Sequence, residues 1–369
     1  MSRPGDDDLR ADRRRACIEA TIRADVRAIS RYAVTPAEGW IKLDAMENPY
    51  RLPEDVRASL ADTLSAVPVN RYPDGDARAA KAALRRSLAL PDGVGLMLGN
   101  GSDEIIQIIT TAVAAAGSVV LAPEPSFVMY RRSALVEHAR FVGPALREDF
   151  SLDVPAMLRA IDEHRPALVW LALPNNPTGN LFDAEDVERI IVAAAGLVAI
   201  DEAYYAFADR SMLAHVLDYP NVVLVRTVSK IGLAGLRLGY AAAHPAWIDE
   251  FEKIRPPYNV NGLTQAALPV LLSYNEALST QAAAIRAERV RLDEALSRLP
   301  GVRTYPTQTN FVLARVPDAG AWFSTLADAR ILVKNLDGWH PLLANCLRIT
   351  VGTPAENDAL LSALQRKYA

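Results

Sequence analysis

Four short segments constrain the fold more than any other feature of the chain: Val119-Val-Leu-Ala122, Leu168-Val-Trp-Leu-Ala172, Leu197-Val-Ala-Ile200 and Val222-Val-Leu-Val225. Each is apolar at every position instead of at alternate ones. A strand with one wet face alternates with a period of two, so an unbroken apolar strand is covered on both faces. That is the condition of a parallel sheet between layers of helices, and segments of helical character separate the four. The pattern predicts an α/β fold with a mainly parallel sheet. Ser102 stands where it can cap one intervening helix, running to about Ala116, with Asp103 and Glu104 in its first turn and Gly117 beyond its end.

After about Gly262 the pattern changes. A long helical region rich in Arg and Glu leads to strand-like Phe311-Val-Leu-Ala314, Ile331-Leu-Val333 and Leu347-Arg-Ile-Thr-Val351. Thr353-Pro-Ala-Glu356 then reads as a capping box, with proline at the first position of a last helix. Residues 1–40 hold one short amphipathic stretch and no sustained pattern, which predicts an arm. The expected organisation is an N-terminal arm over 1–40, a large domain over 41–262 and a smaller α+β domain over 263–369.

Charge and cysteine usage remove several classes of function. The net charge of −4 is small and not gathered into long blocks, whereas a nucleic-acid binder presents a basic face. The two cysteines, Cys17 and Cys346, are far apart and make neither a disulfide framework nor a zinc ribbon, which suits a reducing cytoplasm. None of the five histidines has metal-ligand spacing, so no metal is expected. The Arg-rich N-terminus also carries Asp6, Asp7, Asp8 and Asp12 and lacks an apolar core, unlike a signal or transit peptide. Ile105 to Ala122, the most apolar stretch, is broken by Gln107, Thr110, Thr111, Gly117 and Ser118 and reads as a buried helix passing into a strand, not a membrane span.

Polar motifs sit just after the apolar strands. Asn175-Asn-Pro-Thr-Gly179 follows the Trp170 strand, Asp201-Glu-Ala-Tyr204 follows Ile200, and Arg226-Thr-Val-Ser-Lys230 follows Val225. An amide, a carboxylate, a phenol and an amine thus stand at the ends of successive strands. Read singly, each is ordinary: Asn-Pro-Thr-Gly is a good turn, Asp201 could cap the next turn, and most lysines are solvated. A buried carboxylate, however, is costly unless a cation meets it. Glu202 reads as a solvated group or one placed behind Asp201.

In order and wording these motifs resemble the fold-type I aminotransferases, which bind pyridoxal 5'-phosphate. The resemblance implies an aspartate-aminotransferase-like fold whose large domain has a seven-stranded sheet. It makes Lys230 the covalent anchor and proton shuttle, Asp201 the partner of the ring nitrogen, and Asn176 and Tyr204 donors to the phenolic oxygen. Gly101, Ser102 and Asp103 would open a helix at the cofactor phosphate, where free N–H groups and the dipole favour an anion. Ser229 and Arg237 would complete that cup, the arginine as a two-pronged donor. Arg237 follows Lys230 one residue sooner than is usual in the family, so a shorter loop is expected there. Phe127, in Pro125-Ser-Phe-Val-Met-Tyr130, would stack on the cofactor ring, or else belong to the core. Tyr72, in Asn70-Arg-Tyr-Pro-Asp74, would reach the phosphate of a neighbouring subunit, implying a homodimer with shared sites.

The resemblance is sharpest to one subfamily, the histidinol-phosphate aminotransferases, and runs from about Tyr32 onward. It is carried further by Asp44-Ala-Met-Glu-Asn-Pro-Tyr50, Thr309-Asn-Phe311 and Leu347-Arg-Ile-Thr-Val-Gly352. It implies amine exchange between L-histidinol phosphate and 2-oxoglutarate, giving 3-(imidazol-4-yl)-2-oxopropyl phosphate and L-glutamate, in histidine biosynthesis. Such an enzyme must accept a carboxylate or a phosphate monoester at one place, and Arg348 is the candidate because its planar fork fits either; a surface ion pair is its other reading. Lys334 stands where relatives carry a second phosphate-binding arginine, and Asn48 and Tyr32 would line the substrate side. The rivals are an aromatic amino-acid aminotransferase or a threonine-phosphate decarboxylase of the same fold. A cofactor-sensing transcription module would need a DNA-binding domain that the 40-residue arm cannot supply.

Overall fold

The computed structural model describes residues 4–31 and 35–368, with side chains from Arg10 onward. The chain forms two compact units, one ending at Glu38 and one beginning at Gly39. In the first, Pro4–Thr21 is a single helix. It is longer than the short amphipathic stretch expected of an arm. From Arg10 to Thr21 its side chains are exposed, so its helicity there rests on the local preference of its Ala and Arg residues.

The second unit holds two sheets. β1 (Ile41–Leu43) comes first in the chain but joins the second sheet. The first sheet consists of β2 (Gly95–Gly99), β3 (Val119–Leu121), β4 (Arg140–Val142), β5 (Leu168–Ala172), β6 (Leu197–Asp201), β7 (Val222–Thr227) and β8 (Gly239–Ala243). Its seven strands lie in the order β2-β8-β7-β6-β5-β3-β4, parallel except that β8 runs against both its neighbours. The fold expected from the unbroken apolar strands is the fold found.

Alternate side chains of these strands feed two cores. Val169, Leu171, Val198, Ile200, Val222 and Leu224 enter one, which the helices Arg78–Ser87, Val154–His164, Ala184–Ala193 and Gly262–Ser273 cover. Leu168, Trp170, Leu197, Ala199, Val223 and Val225 enter the other, under Ser102–Val113, Val128–Val136 and Pro245–Glu252. In Ser102–Val113, Ile105, Ile106, Ile108 and Ile109 are all buried, each contributing about 2 kcal/mol. Ser102 is not the cap of this helix. Gly101 holds that place at φ 90°, and Glu104 Oε2 accepts the Asn100 amide at 2.5 Å.

The second sheet adds β9 (Arg303–Thr304), β10 (Phe311–Arg315), β11 (Ile331–Asn335) and β12 (Cys346–Thr350) to β1, in the order β1-β11-β12-β10-β9. β1 is parallel to β11, with Ile41 opposite Ile331, and the other pairs are antiparallel. Asn275–Ser297, Ala319–Asp328 and Pro354–Tyr368 supply the helices of its core. The last begins with the expected capping box: Thr353 Oγ1 accepts the Glu356 amide at 3.3 Å while Glu356 Oε2 accepts that of Thr353 at 2.8 Å. Such a cap stabilises a helix by about 1 kcal/mol. No described helix is long and apolar enough to cross a membrane.

Candidate active site

β5, β6 and β7 are parallel neighbours, with Ala172, Asp201 and Val225 in one row. Their carboxyl ends therefore open on one edge, where ligands of open α/β sheets bind. Asp201 is the last residue of β6 and is 5% exposed. Its Oδ2 accepts from Tyr130 Oη at 2.7 Å and its Oδ1 from the Ala203 amide at 3.0 Å. Burial nevertheless lifts its pKa to about 6, outweighing both hydrogen bonds, and Asp103 and Glu202 push the same way. Among the described residues no cationic side chain pairs with it. A protonated ring nitrogen would supply the missing positive charge.

Lys230 follows β7 at the start of the wide turn Ser229–Leu233. Its Nζ lies 3.4 Å from the Ala45 carbonyl oxygen and 5.9 Å from the centre of the Tyr204 ring. The residue keeps some solvent access, but its amine is packed round by protein. Burial first, and then the Arg348 charge, bring its pKa down to about 8; Arg237 adds to this while Glu47 and Asp103 oppose it. A good share of the amine is therefore unprotonated just above neutral pH, as a nucleophile or base requires.

Arg348, in β12, is 7% exposed. Its Nη1 donates to Asn176 Oδ1 at 2.6 Å and its Nη2 to the Asp44 carbonyl at 3.0 Å. The guanidinium lies 5.4 Å from the centre of the Phe311 ring, which in turn meets Tyr204 edge-on. A buried arginine so placed is no surface ion pair. With its oxygen committed to Arg348, the Asn176 amide keeps its N–H donors for another acceptor. Lys334 sits opposite Arg348 in the sheet, 5.0 Å from the Trp339 ring, its pKa lowered by burial and by that arginine.

The glycine at 101 has a specific reason. Its φ is 90°, and a β-carbon there would lie 2.6 Å from Arg237 Nη2, so only bare backbone lets the guanidinium approach this helix terminus. Between Lys230 and Arg237 the chain makes the turn Ser229–Leu233 and a 3₁₀ turn, Ala234–Leu236, bringing Arg237 out at φ 47°. Ser229 Oγ lies 2.8 Å from Thr227 Oγ1, whose single proton can also reach the Leu238 carbonyl at 3.1 Å. Free amides, a hydroxyl and a guanidinium are the donors that a phosphate takes. Phe127 precedes the helix Val128–Val136, partly exposed at the margin of the core, with Tyr130 against it edge-on.

Asn48 and Tyr72 each have partners within the chain. Asn48 spends Nδ2 on the Ile231 carbonyl at 3.3 Å and Gln281 Oε1 at 2.9 Å, and its Oδ1 accepts the Tyr50 amide; it tethers the turn that carries Lys230. Tyr72 is 82% exposed and stacks on Tyr258, with ring centres 4.7 Å apart. Tyr32 lies outside the described residues. Glu202 is not solvated: it is 1% exposed, 2.7 Å from Arg226, and accepts from Ser211 Oγ and the Met212 amide. Sequence reading passed over Tyr130 and the Asp44 and Ala45 carbonyls. The only signal for Tyr130 was its place one helical turn after Phe127; main-chain carbonyls give none.

A family model for class I and II aminotransferases matches residues 38–364. The histidinol-phosphate aminotransferase 1 of Burkholderia lata is 53% identical over 345 residues, 93% of this chain and 97% of that protein. The histidinol-phosphate aminotransferase of Chromobacterium violaceum is 51% identical over 351 residues, 95% of this chain and 99% of its own. Among solved structures, histidinol-phosphate aminotransferase from Sinorhizobium meliloti in complex with pyridoxal-5'-phosphate aligns with a TM-score of 0.82 at 25% identity, covering 94% of this chain and 97% of that one. With buried Asp201 and Lys230 at the carboxyl edge of a seven-stranded sheet, and a match over nearly the whole length, the chain belongs to the class I and II aminotransferases.

Proposed function

We propose that this protein transfers the amino group between L-histidinol phosphate and 2-oxoglutarate, reversibly, in L-histidine biosynthesis. The observation that carries the reading is Asp201, a buried carboxylate with no cationic partner among the described residues, at the same sheet edge as the shifted amine of Lys230. The near-full-length relatives named for histidinol phosphate support the substrate. Pyridoxal 5'-phosphate, when bound, supplies an electron sink for breaking the bond to the substrate Cα hydrogen.

The chain's residues divide the remaining work. Asp201 holds the ring nitrogen in its charged form. Asn176, through Nδ2, and Tyr204 donate to the phenolic oxygen, and Phe127 covers one ring face. The Gly101–Asp103 helix terminus, Ser229 and Arg237 take the phosphate. Lys230 anchors the cofactor and then carries the proton to and from the substrate carbon. Arg348 receives either the glutamate carboxylate or the phosphate of the amine, and Lys334 adds a second charge without a fork. Residues 41–262 and 263–369 form the cofactor lobe and the small lobe, except that β1 pairs with β11 and the helix Gly262–Ser273 packs into the core of the first sheet. The protein works in the cytoplasm as a homodimer. The exposed Val69, Tyr72 and Tyr258 supply apolar surface for that contact, and Tyr72 completes the partner's phosphate site.

The deciding experiment mixes the cofactor-loaded protein with L-histidinol phosphate and follows the visible absorbance. Rapid conversion to the pyridoxamine form is expected, with unphosphorylated histidinol and aromatic amino acids much slower. Indifference to the phosphate would make this an aromatic aminotransferase. Replacing Arg348 with alanine should lower kcat/KM about a hundredfold for both glutamate and the phosphorylated amine. A loss confined to one substrate in steady-state assays would mean separate anion sites.

A further inference from the structure

Asp201 has few partners for a buried charge. The Ala203 amide, which any residue but proline could supply, serves Oδ1. Oδ2 depends on one side chain, Tyr130, which is 1% exposed and comes from a different layer of the fold. That phenol is fixed from two sides. Its ring stacks on Trp170 with centres 4.7 Å apart and planes 3° apart, and Phe127 meets it at 5.8 Å and 83°. Trp170 lies in β5, the neighbour of β6, so the sheet itself sets the distance from the phenol to Asp201. The other ionisable groups around this pair are Asp103 from the helix Ser102–Val113, Glu202 from the end of β6, and Tyr204. All are acidic, and both carboxylates favour a protonated Asp201.

Resting on the reading that the site takes pyridoxal 5'-phosphate, we infer that Tyr130 is a positioning residue: its hydroxyl keeps Asp201 ionised and aimed, so that the carboxylate holds a protonated ring nitrogen. A hydrogen bond into a carboxylate favours the charged form. Burial and Asp201 raise the phenol's own pKa, so it keeps its proton and donates it to the ionised carboxylate. Without the hydroxyl, Asp201 would keep one amide bond against two acidic neighbours and take up a proton at higher pH. A neutral acid facing the ring nitrogen binds it far less firmly than an ion does. Tyr130 also starts from the same turn as Phe127, its amide bonding to the Phe127 carbonyl at 3.2 Å. One helix start thus places both a ring-covering side chain and the group that tunes Asp201.

Tyr130→Phe keeps the ring, its stack and its edge contact, and removes only the hydroxyl. The measurement is the Kd of the apoprotein for pyridoxal 5'-phosphate, beside an analogue with carbon in place of the ring nitrogen. The variant should bind the cofactor ten- to a hundredfold more weakly at about pH 8, and the carbon analogue as tightly as the unmodified protein does. In an Asp201→Asn background Tyr130→Phe should add no further loss. The apoprotein should also lose more thermal stability at about pH 8 than at about pH 5, since the missing bond is one to the charged carboxylate. Equal weakening for both ligands, or an additive loss in the Asp201→Asn background, would reduce Tyr130 to packing and overturn the inference. Failure of the unmodified protein to bind the cofactor would remove the functional reading beneath it as well.

Discussion

Lys230→Ala should bring turnover down by at least about a thousandfold while the protein still takes up pyridoxal 5'-phosphate. The loss follows from what the amine does and what no neighbour can do in its place. A positioned base contributes about 10²–10⁴ in rate, and covalent anchoring adds to that. The nearest cations, Arg348 and Arg237, are guanidiniums and stay protonated, so they cannot accept the proton. The cofactor should be retained because the other residues proposed to hold it, Asp201, Asn176 and the Gly101–Arg237 cup, do not depend on residue 230. Borohydride should fix the cofactor to the unmodified protein and not to the variant. Normal turnover in the variant would sink the assignment of Lys230.

Asp201→Asn should show opposite effects in the empty and loaded protein. The Asp201 pKa is raised from the ordinary carboxylate range to about 6 in the folded chain. Its contribution is therefore whole below about pH 4 and is lost as pH rises through about 6, amounting to about 3 kcal/mol of penalty at neutral pH. Asparagine carries no charge and escapes that penalty, so the empty variant should melt higher than the unmodified apoprotein above about pH 7 and lose the advantage below about pH 4. With cofactor present the order reverses, because the ring nitrogen loses its anion and turnover falls with it. Calorimetry across pH, with and without cofactor, checks both halves. An empty variant that is less stable at every pH would mean the carboxylate is no burden to the apo fold.

The sheet was open to reading because its strands are apolar throughout, and β5 was read to the residue. β6 and β7 run further than their apolar runs, to Asp201 and Thr227. The ladder is made by main-chain groups, which continue under polar side chains as readily as under apolar ones. That is also why the site sits where it does: the polar residues that end the pattern do not end the strand. The residues gathered round the sheet edge were legible from their motifs, but their partners were not. Arg348 could be proposed as an anion-binding arginine, yet its bond to Asn176 joins positions 172 residues apart. Glu202 could be read as a solvated acid or as one behind Asp201, because Arg226, which makes it tolerable inside, carries no sign of pairing in its own strand.

The pairing of Ile41–Leu43 with Ile331–Val333 has a consequence for how the protein is born. Every strand of the seven-stranded sheet lies between residues 95 and 243, so that sheet has all its strands before the C-terminal third leaves the ribosome. β1 by then has been synthesised and has no neighbour, a short strand waiting on residues nearly three hundred positions away. The carbonyls of Asp44 and Ala45, just behind it, reach Arg348 and the Lys230 amine only when that strand is seated. A nascent chain therefore holds every strand of the first sheet before the second sheet can form. A truncation after β8 should leave β1 without its partner strand and prone to aggregate.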